Sequence, residues 1–421
     1  MRRLLTAMTA VIAVLAASGW SSGAGRIGCA TPVLGLPPAP AFASADVDDP
    51  PFVGALQAGR AVLGIYTTYA DSRLRAVLAG AGAPVELSGA RVESAAVAST
   101  AGCGLVAWQP AAGGPAEVAG IDRAGRWHHP VAVDLGVVTD RLRVVANGTT
   151  LAVEGTSVDY RSPAARVATV DARGRPRAAV SLAGVVPIVA NIALADDGSV
   201  WISGLRAPAG APFAGGPLAL ARLLPDGRLV RQRSPVRGQV TAVAVAVTGT
   251  RRLLVAAVGQ AIETFDGVGA TGWSKARSVA RVPDNVYSID VVLNRDGAAV
   301  VAWTRADSAR SSGSDRTQAV GVVVRPARGA FGRVQDLGPY SVLDGLGLDV
   351  RDQAVVAWGT SNGIIVGSAS GPPSAVVLRI GNGPRRIISG GYTDAAFIAC
   401  EHGGAGGVWV DGDRVRSRTC T

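Results

Sequence analysis

Short hydrophobic segments recur along most of this chain, and a turn residue precedes each of them. Eight such segments stand out: Ala61–Thr68, Gly104–Gln109, Thr150–Gly155, Ser199–Gly204, Leu253–Val258, Ala299–Thr304, Ala354–Gly359 and Ala395–Glu401. The residues that mark the turns before them are Gly59, Gly102, Gly148, Gly198, Gly249, Gly297, Asp352 and Asp394. The segments therefore follow one another at intervals of about 42–55 residues, which indicates an internally repeated architecture.

Each repeat divides into four strand candidates, as the sixth repeat illustrates. Its segments are Ser288–Leu293, Ala299–Trp303, Ala319–Val324 and Arg333–Leu337, and the turn Arg295-Asp296-Gly297 separates the first two. Aliphatic runs punctuated by Asp-Gly predict antiparallel hairpins, and no helical periodicity is sustained. A four-stranded sheet cannot bury both faces alone, whereas stacking in a ring buries them. We therefore predict an all-β fold, a β-propeller of about eight four-stranded antiparallel blades, with seven as the alternative.

Three tryptophans occupy matching places in their repeats. Trp108, Trp303 and Trp358 each come six residues after the turn residue of their repeat. Equivalent bulky apolar residues in stacked sheets are expected to fill the space between neighbours. We interpret them as packing residues between blades and not as ligand platforms.

The N-terminus has the pattern of an export signal. Arg2 and Arg3 precede the apolar stretch Leu4–Ala17, and small residues follow it. The stretch is shorter than the roughly 20 residues of a membrane span, so it predicts a secretory signal peptide over residues 1–24. Residues 25–45 are rich in Pro, Ala and Gly and predict a linker, which leaves 46–421 as the propeller domain. The expected location is therefore secreted or in the cell envelope.

Four cysteines in an exported chain predict disulfides, because the compartments outside the cytoplasm are oxidising. Cys400 and Cys420 fall in the last repeat, and they are the first choice for a bridge. One objection is geometric: if they lie on the second and fourth strands, an intervening strand separates them. Cys29 and Cys103 would form the second pair. Lipidation of Cys29 is the alternative, and a membrane is an expected partner only in that case.

Charge adds one further hypothesis. Basic residues number 41 and acidic ones 31, and Lys275 is the one lysine among them. Heavy use of Ala, Gly, Val and Arg is typical of a GC-rich genome, whereas the functional interpretation of the excess is an anionic partner. No long Lys/Arg run is present, so nucleic acid is not an expected partner.

The chain resembles secreted bacterial β-propeller repeat proteins over residues 46–421. The segment Asp196-Asp197-Gly198-Ser199-Val200-Trp201 resembles the Asp-Gly-x-x-Trp turn of streptogramin-lyase-like propellers. The segment from Asp266-Gly267 to Gly272-Trp273 resembles a sialidase Asp-box with altered spacing. The resemblance implies the propeller fold, and no catalytic residue of either family is carried over.

Motifs that would identify an enzyme are missing from the sequence. No HExxH or P-loop pattern occurs, so we expect neither a metal nor a cofactor. Glu154 and Glu401 are the carboxylates considered for a glycosidase pair, but their repeats are far apart. Arg141, Asn191 and Asp290 occupy equivalent positions on the predicted inner strands, and we predict them as ligand-binding residues of a central channel. The alternative is that they line a wet pore.

These observations favour a binding protein over an enzyme. The expected function is an exported, non-catalytic β-propeller scaffold for an envelope or extracellular protein or glycan, including an anionic one. The alternative is a glycoside hydrolase or polysaccharide lyase with its site at the channel mouth. We expect a monomer.

Overall fold

A computed structural model describes most of the chain from residue 52 onwards. The described residues are 52–67, 71–77, 85–100, 103–125, 127–157, 164–171, 173–206, 215–269, 272–306, 318–339, 341–349, 351–360, 375–381, 383–389, 395–400, 403–411 and 414–420. They contain β-strands and no helix, so this part of the chain offers no helical candidate for a membrane span. The predicted signal peptide (1–24) and linker (25–45) lie outside the described residues.

The described strands follow one another as antiparallel meanders. The first twelve are β1 (Phe52–Ala58), β2 (Ala61–Thr67), β3 (Leu74–Val77), β4 (Val85–Glu86), β5 (Val92–Thr100), β6 (Cys103–Pro110), β7 (Ala116–Ile121), β8 (Val131–Val133), β9 (Arg141–Ala146), β10 (Thr150–Ser157), β11 (Ala164–Asp171) and β12 (Val180–Ser181). The next twelve are β13 (Ile188–Leu194), β14 (Val200–Leu205), β15 (Gly216–Leu223), β16 (Leu229–Gln232), β17 (Gln239–Thr248), β18 (Arg251–Val258), β19 (Ala261–Val268), β20 (Arg277–Arg281), β21 (Val286–Leu293), β22 (Ala299–Ala306), β23 (Gln318–Arg325) and β24 (Gln335–Pro339). The last are β25 (Ser341–Leu348), β26 (Ala354–Thr360), β27 (Ala375–Ile380), β28 (Arg386–Ser389), β29 (Ala395–Ala399), β30 (Ala405–Asp411) and β31 (Arg414–Arg418).

Each group of four strands in chain order, beginning with β1–β4, pairs as one meander, and the last group, β29–β31, has three described strands. We number these groups meanders 1 to 8 in chain order. Four-stranded antiparallel meanders of this kind are the blades of β-propellers. The predicted all-β, β-propeller fold class is therefore confirmed, while the number of blades stays a prediction.

Packing divides the described chain into two compact units. Unit 1 holds the described residues up to 155 together with 168–179 and those from 395 onwards, and unit 2 holds 156–167 and those from 180 to 389. Within unit 1, β1 packs beside β5, β5 beside β9, and β29 beside β1. Within unit 2, β13, β17, β21 and β25 lie beside one another in that order. First strands of successive meanders are thus neighbours in each unit.

The tryptophans predicted to pack between blades are buried. Trp108, Trp303 and Trp358 are each at most 2% exposed. Trp108 belongs to a core that includes residues of β1 and β2, and Trp303 belongs to one that includes residues of β17 and β18. For Trp108 and Trp303 the contacts run to the preceding meander, as predicted.

The predicted turns between first and second strands adopt left-handed backbone conformations. Gly198 has a φ of 79°, in the region that glycine enters without steric cost. Asp352 has a φ of 60° in the equivalent turn, where aspartate is among the few other residues tolerated. The Asp349 side chain fixes that turn by accepting hydrogen bonds from the backbone N–H groups of Arg351 and Gln353, both at 2.9 Å.

One prediction about strand order is wrong. The segment Ala395–Glu401 was expected to follow the first-to-second-strand turn of its repeat, with Cys400 on the second strand. The structure makes β29 the first strand of meander 8, because it pairs with β30 and packs beside β1. The true first-to-second-strand turn holds Gly403 and Gly404, which have φ values of 102° and 76°.

The predicted bridge between Cys400 and Cys420 is confirmed. The two residues follow the first and third strands of meander 8, and their Cα atoms lie 5.4 Å apart. The intervening strand β30 does not block the bridge, because the residue of β30 beside the Cys420 sulfur is a glycine, Gly406. A Cβ on Gly406 would lie 2.9 Å from the Cys420 sulfur and 2.5 Å from a Val62 methyl group. Of the second predicted pair, Cys29–Cys103, Cys29 lies outside the described residues.

Substitution of Gly406 by alanine is expected to lower the free energy of unfolding by about 2 kcal/mol, because the added methyl group overpacks a buried site. Urea denaturation followed by fluorescence measures the loss. The matched control is Gly89→Ala, since a Cβ at Gly89 meets no atom within 4 Å. Equal unfolding midpoints for the two variants would show that the crossing at Gly406 tolerates a side chain.

Candidate functional site

The predicted channel residues lie on first strands, as expected. Asn191 of β13 and Asp290 of β21 have the same register, opposite Ser203 and Ala302 of their second strands. The Asn191 side chain accepts a hydrogen bond of 3.0 Å from the backbone N–H of Val245 on neighbouring β17. This bond ties two meanders of unit 2 together. The ligand-binding role of Arg141, Asn191 and Asp290 stays a prediction.

Arg141 is the first residue of β9, in unit 1, close to a buried ion pair. The Nη1 atom of Arg143 lies 2.6 Å from the Glu154 carboxylate, which is fully buried. The positive charge of nearby Arg143 lowers the pKa of Arg141, and desolvation lowers it further. Arg141 is nevertheless exposed to solvent. Glu154 is thus held as the partner of an arginine, and Glu401, the other carboxylate considered for a glycosidase pair, lies outside the described residues.

A cavity that sequence reasoning missed lies within unit 2. Its volume is about 180 Å³, and residues of meanders 5 and 6 line it. Five of the lining residues are arginines: Arg251, Arg252, Arg277, Arg325 and Arg328. Asp266 is the one acidic residue among the lining residues, and Val268 and Leu293 supply an apolar side. We call this cavity the arginine pocket.

Arg325 is the most firmly held of the five. It ends β23, and its Nε donates a hydrogen bond of 3.0 Å to the carbonyl oxygen of Gly297. Its Nη1 lies 2.7 Å from the Asp266 carboxylate, and its guanidinium carbon lies 5.0 Å from the centre of the Phe331 ring. With only 8% of the residue exposed, Arg325 is a pre-organised cationic group in the pocket wall.

Arg252 is held between two tryptophan rings. Its guanidinium carbon lies 4.5 Å from the centre of the Trp201 ring and 4.6 Å from that of Trp273. The two rings meet edge to face at 5.9 Å. Gly267 pairs with Arg252 across β18 and β19, and a Cβ there would lie 2.9 Å from the Arg252 Nη2 atom. The glycine therefore makes room for the guanidinium.

The Arg252 side chain carries a buried charge with few hydrogen bonds. The residue is 2% exposed, and its Nη2 donates to the carbonyl oxygen of Gly272 at 2.8 Å. Its Nε and Nη1 atoms are buried and have no hydrogen-bond partner among the described residues. Desolvation, and then the charge of Arg222, lower the pKa of Arg252.

The remaining arginines have no carboxylate partner in the described part of the chain. Arg251, Arg277 and Arg328 form no ion pair there, and Arg328 has a φ of 58°, a left-handed conformation uncommon for a side chain of its size. Sparsely populated backbone conformations concentrate at functional sites. Five guanidinium groups against one carboxylate create a strongly positive site that suits an anion.

The two motif-like segments of the sequence meet beside this pocket. Trp201 ends the segment that resembles a streptogramin-lyase-like turn, and Trp273 ends the Asp-box-like segment, yet the two rings are in contact. Asp266, which begins the Asp-box-like segment, lines the pocket. Among the described residues no group of three His, Cys, Asp or Glu side chains could hold a metal ion.

Comparison with known proteins identifies no family. No protein-family model and no curated protein matches the chain. Among solved structures, it is similar to a prolyl endopeptidase (14% identity, TM-score 0.47) and spans 98% of its own length but 60% of that enzyme. The chain is also similar to the β-propeller domain of the trilobed protease from Pyrococcus furiosus, with 10% identity and a TM-score of 0.48. That match covers 83% of this chain and 98% of the protease domain. The chain is also similar to an ulvan lyase of polysaccharide lyase family PL25, with 11% identity and a TM-score of 0.40. The match covers 76% of this chain and 80% of the lyase. At such values these similarities identify neither an activity nor a ligand.

Proposed function

We propose that this protein is an exported, non-catalytic β-propeller that binds an anionic glycan of the cell envelope or the extracellular space through the arginine pocket. The observation that carries the proposal is the set of five arginines around one small cavity. Arginine suits this task because its planar guanidinium matches the oxygens of carboxylate, sulfate and phosphate groups.

Size and lining favour one charged sugar unit as the bound group. A cavity of about 180 Å³ is smaller than the several hundred Å³ typical of drug-sized ligands. Val268 is 70% exposed and offers an apolar surface to the carbon face of a sugar ring. A polymer would thus present one unit to the pocket while the rest of its chain stays in solvent.

The pocket's acidic group argues for binding and against hydrolysis. Most glycoside hydrolases use two carboxyl groups, one on each side of the scissile bond. Asp266 is the one carboxylate of the described pocket lining, and Arg325 already holds it in an ion pair. The described pocket lining therefore lacks the second carboxyl group that a glycoside hydrolase would need.

Export is supported by the disulfide. The Cys400–Cys420 bridge indicates an oxidising compartment, because cytosolic thiols are kept reduced. The apolar stretch Leu4–Ala17 remains the sequence argument for a signal peptide. Both point to a location outside the cytoplasm.

Calorimetric titration of the purified protein with oligogalacturonate, dextran sulfate and neutral dextran tests the function. We expect the two anionic glycans to bind, the neutral one to fail, and affinity to fall with added salt. Assays of reducing ends and of unsaturated products run in parallel. Cleavage of either anionic glycan would refute the non-catalytic proposal, and equal binding of dextran would refute the role of charge.

Substitution of Arg277 by glutamine is expected to weaken binding of the anionic glycan about tenfold, because one charge-assisted hydrogen bond is lost. Arg277 is exposed and forms no ion pair among the described residues, so its loss should leave the fold intact. Arg281→Gln is the matched control, since it removes the same charge from the same strand, outside the pocket. Equal losses in the two variants would mean that only overall charge matters.

A further inference from the structure

We infer that Asp266 is an internal counter-ion that lowers the affinity of the arginine pocket for anions, and does so more strongly the more charge the ligand carries. The inference rests on the proposed function, since it concerns the same pocket. It assigns a specificity-determining role to the one carboxylate among the lining residues.

The backbone of Asp266 is fixed by hydrogen bonds to Ser274. The Asp266 N–H donates to the Ser274 hydroxyl oxygen at 2.9 Å, and the Ser274 N–H donates to the Asp266 carbonyl oxygen at 2.7 Å. These two bonds close the loop that follows β19. The Asp266 backbone is thereby fixed, and its carboxylate is held by the ion pair with Arg325.

Arg325, the ion-pair partner of Asp266, is also held in place. Arg325 is anchored to Gly297 through Nε and packs against Phe331, so it cannot swing away from Asp266 to meet a ligand. A guanidinium has five N–H donors, and Arg325 uses two of them in the bonds to Gly297 and Asp266. A ligand anion can use the others, but only beside the Asp266 carboxylate.

Two anions on one guanidinium repel each other. The repulsion scales with the ligand charge, because Coulomb energy is proportional to the product of the charges. Asp266 should therefore penalise a doubly charged phosphate ester more than a singly charged carboxylate. In the wild type this shifts the preference of the pocket towards uronate-like units.

The test compares Asp266→Asn with the wild type in titrations with glucuronate, glucose 6-phosphate and glucose. Asparagine keeps the shape and can still accept a hydrogen bond from Arg325. At low salt we expect binding of glucuronate to tighten about tenfold, that of glucose 6-phosphate to tighten more, and that of glucose not to change. Asp226→Asn is the control, since Asp226 is a solvent-exposed aspartate of the same unit outside the pocket.

The outcomes separate the inference from the proposed function. If the wild type binds the two anions and Asp266→Asn binds them equally or more weakly, Asp266 is a structural partner of Arg325 and the inference is overturned. An equal gain for both anions would also overturn it, because the dependence on ligand charge would be missing. If neither protein binds either anion nor the anionic polymers, the proposed function fails. A thermal scan of each variant verifies that it is folded.

Discussion

Removal of the Cys400–Cys420 disulfide is expected to lower the free energy of unfolding by about 3 kcal/mol. The bridge closes a loop across a sequence separation of 20 residues, and a loop of this length restricts the unfolded chain by about that amount. In the folded protein both cysteines are fully buried in the core that meander 8 shares with meander 1. The Cys420 N–H also donates to the Arg60 carbonyl oxygen, which lies in the turn between β1 and β2.

The measurement is urea denaturation of the wild type and the double variant Cys400→Ala/Cys420→Ala, each with and without reductant. Reductant should lower the midpoint of the wild type towards that of the variant and leave the variant unchanged. Because the bridge lies where the last meander packs against the first, we expect unit 1 to lose cooperativity in the variant. Identical midpoints for the two oxidised proteins would contradict the prediction.

The hydrophobic pattern and the turn residues were sufficient to predict the fold class. Short aliphatic runs separated by tight turns pair mostly with their neighbours in sequence, so local information determines most of the meanders. The error in meander 8 has a local cause as well. Two candidate turns, at Asp394 and at Gly403-Gly404, lie within ten residues of each other, and only the packing of β29 beside β1 distinguishes them.

The arginine pocket could not be predicted in the same way. Arg325 and Asp266 are 59 residues apart, and they meet only because meanders 5 and 6 pack side by side. With 41 basic residues in the chain, no single arginine stands out in the sequence. One local signal was present. Arg252 lies opposite Gly267 in adjacent strands, so a long charged side chain faces a residue that has no side chain.

Substitution of Arg252 by methionine is expected to weaken binding of the anionic glycan about a hundredfold while changing the free energy of unfolding by only about 1 kcal/mol. The charge of Arg252 sits in the pocket wall, where low dielectric makes its field on a ligand strong. Binding and unfolding are measured by the same titrations and urea denaturation as above. Arg252→Lys is the companion variant: it keeps the charge and loses the planar contact with the two rings.

The small effect on stability follows from opposing contributions. Burying a guanidinium costs several kcal/mol, and two of the three Arg252 nitrogens have no hydrogen-bond partner among the described residues to offset that cost. Contacts with the faces of Trp201 and Trp273 return about 1–2 kcal/mol each, and the bond to Gly272 adds to them. A methionine avoids the desolvation cost, fills the same space and makes favourable contacts with aromatic rings.

The two measurements together decide what Arg252 is for. If a residue serves the fold, its replacement should lower the stability of the protein and its affinity for the glycan together. Replacing a charge that is retained for binding should weaken binding alone, because burying that charge destabilises the fold. If Arg252→Met unfolds several kcal/mol more easily and its folded fraction binds as the wild type does, the stack with Trp201 and Trp273 is structural. The remaining four arginines would then have to account for the affinity of the pocket.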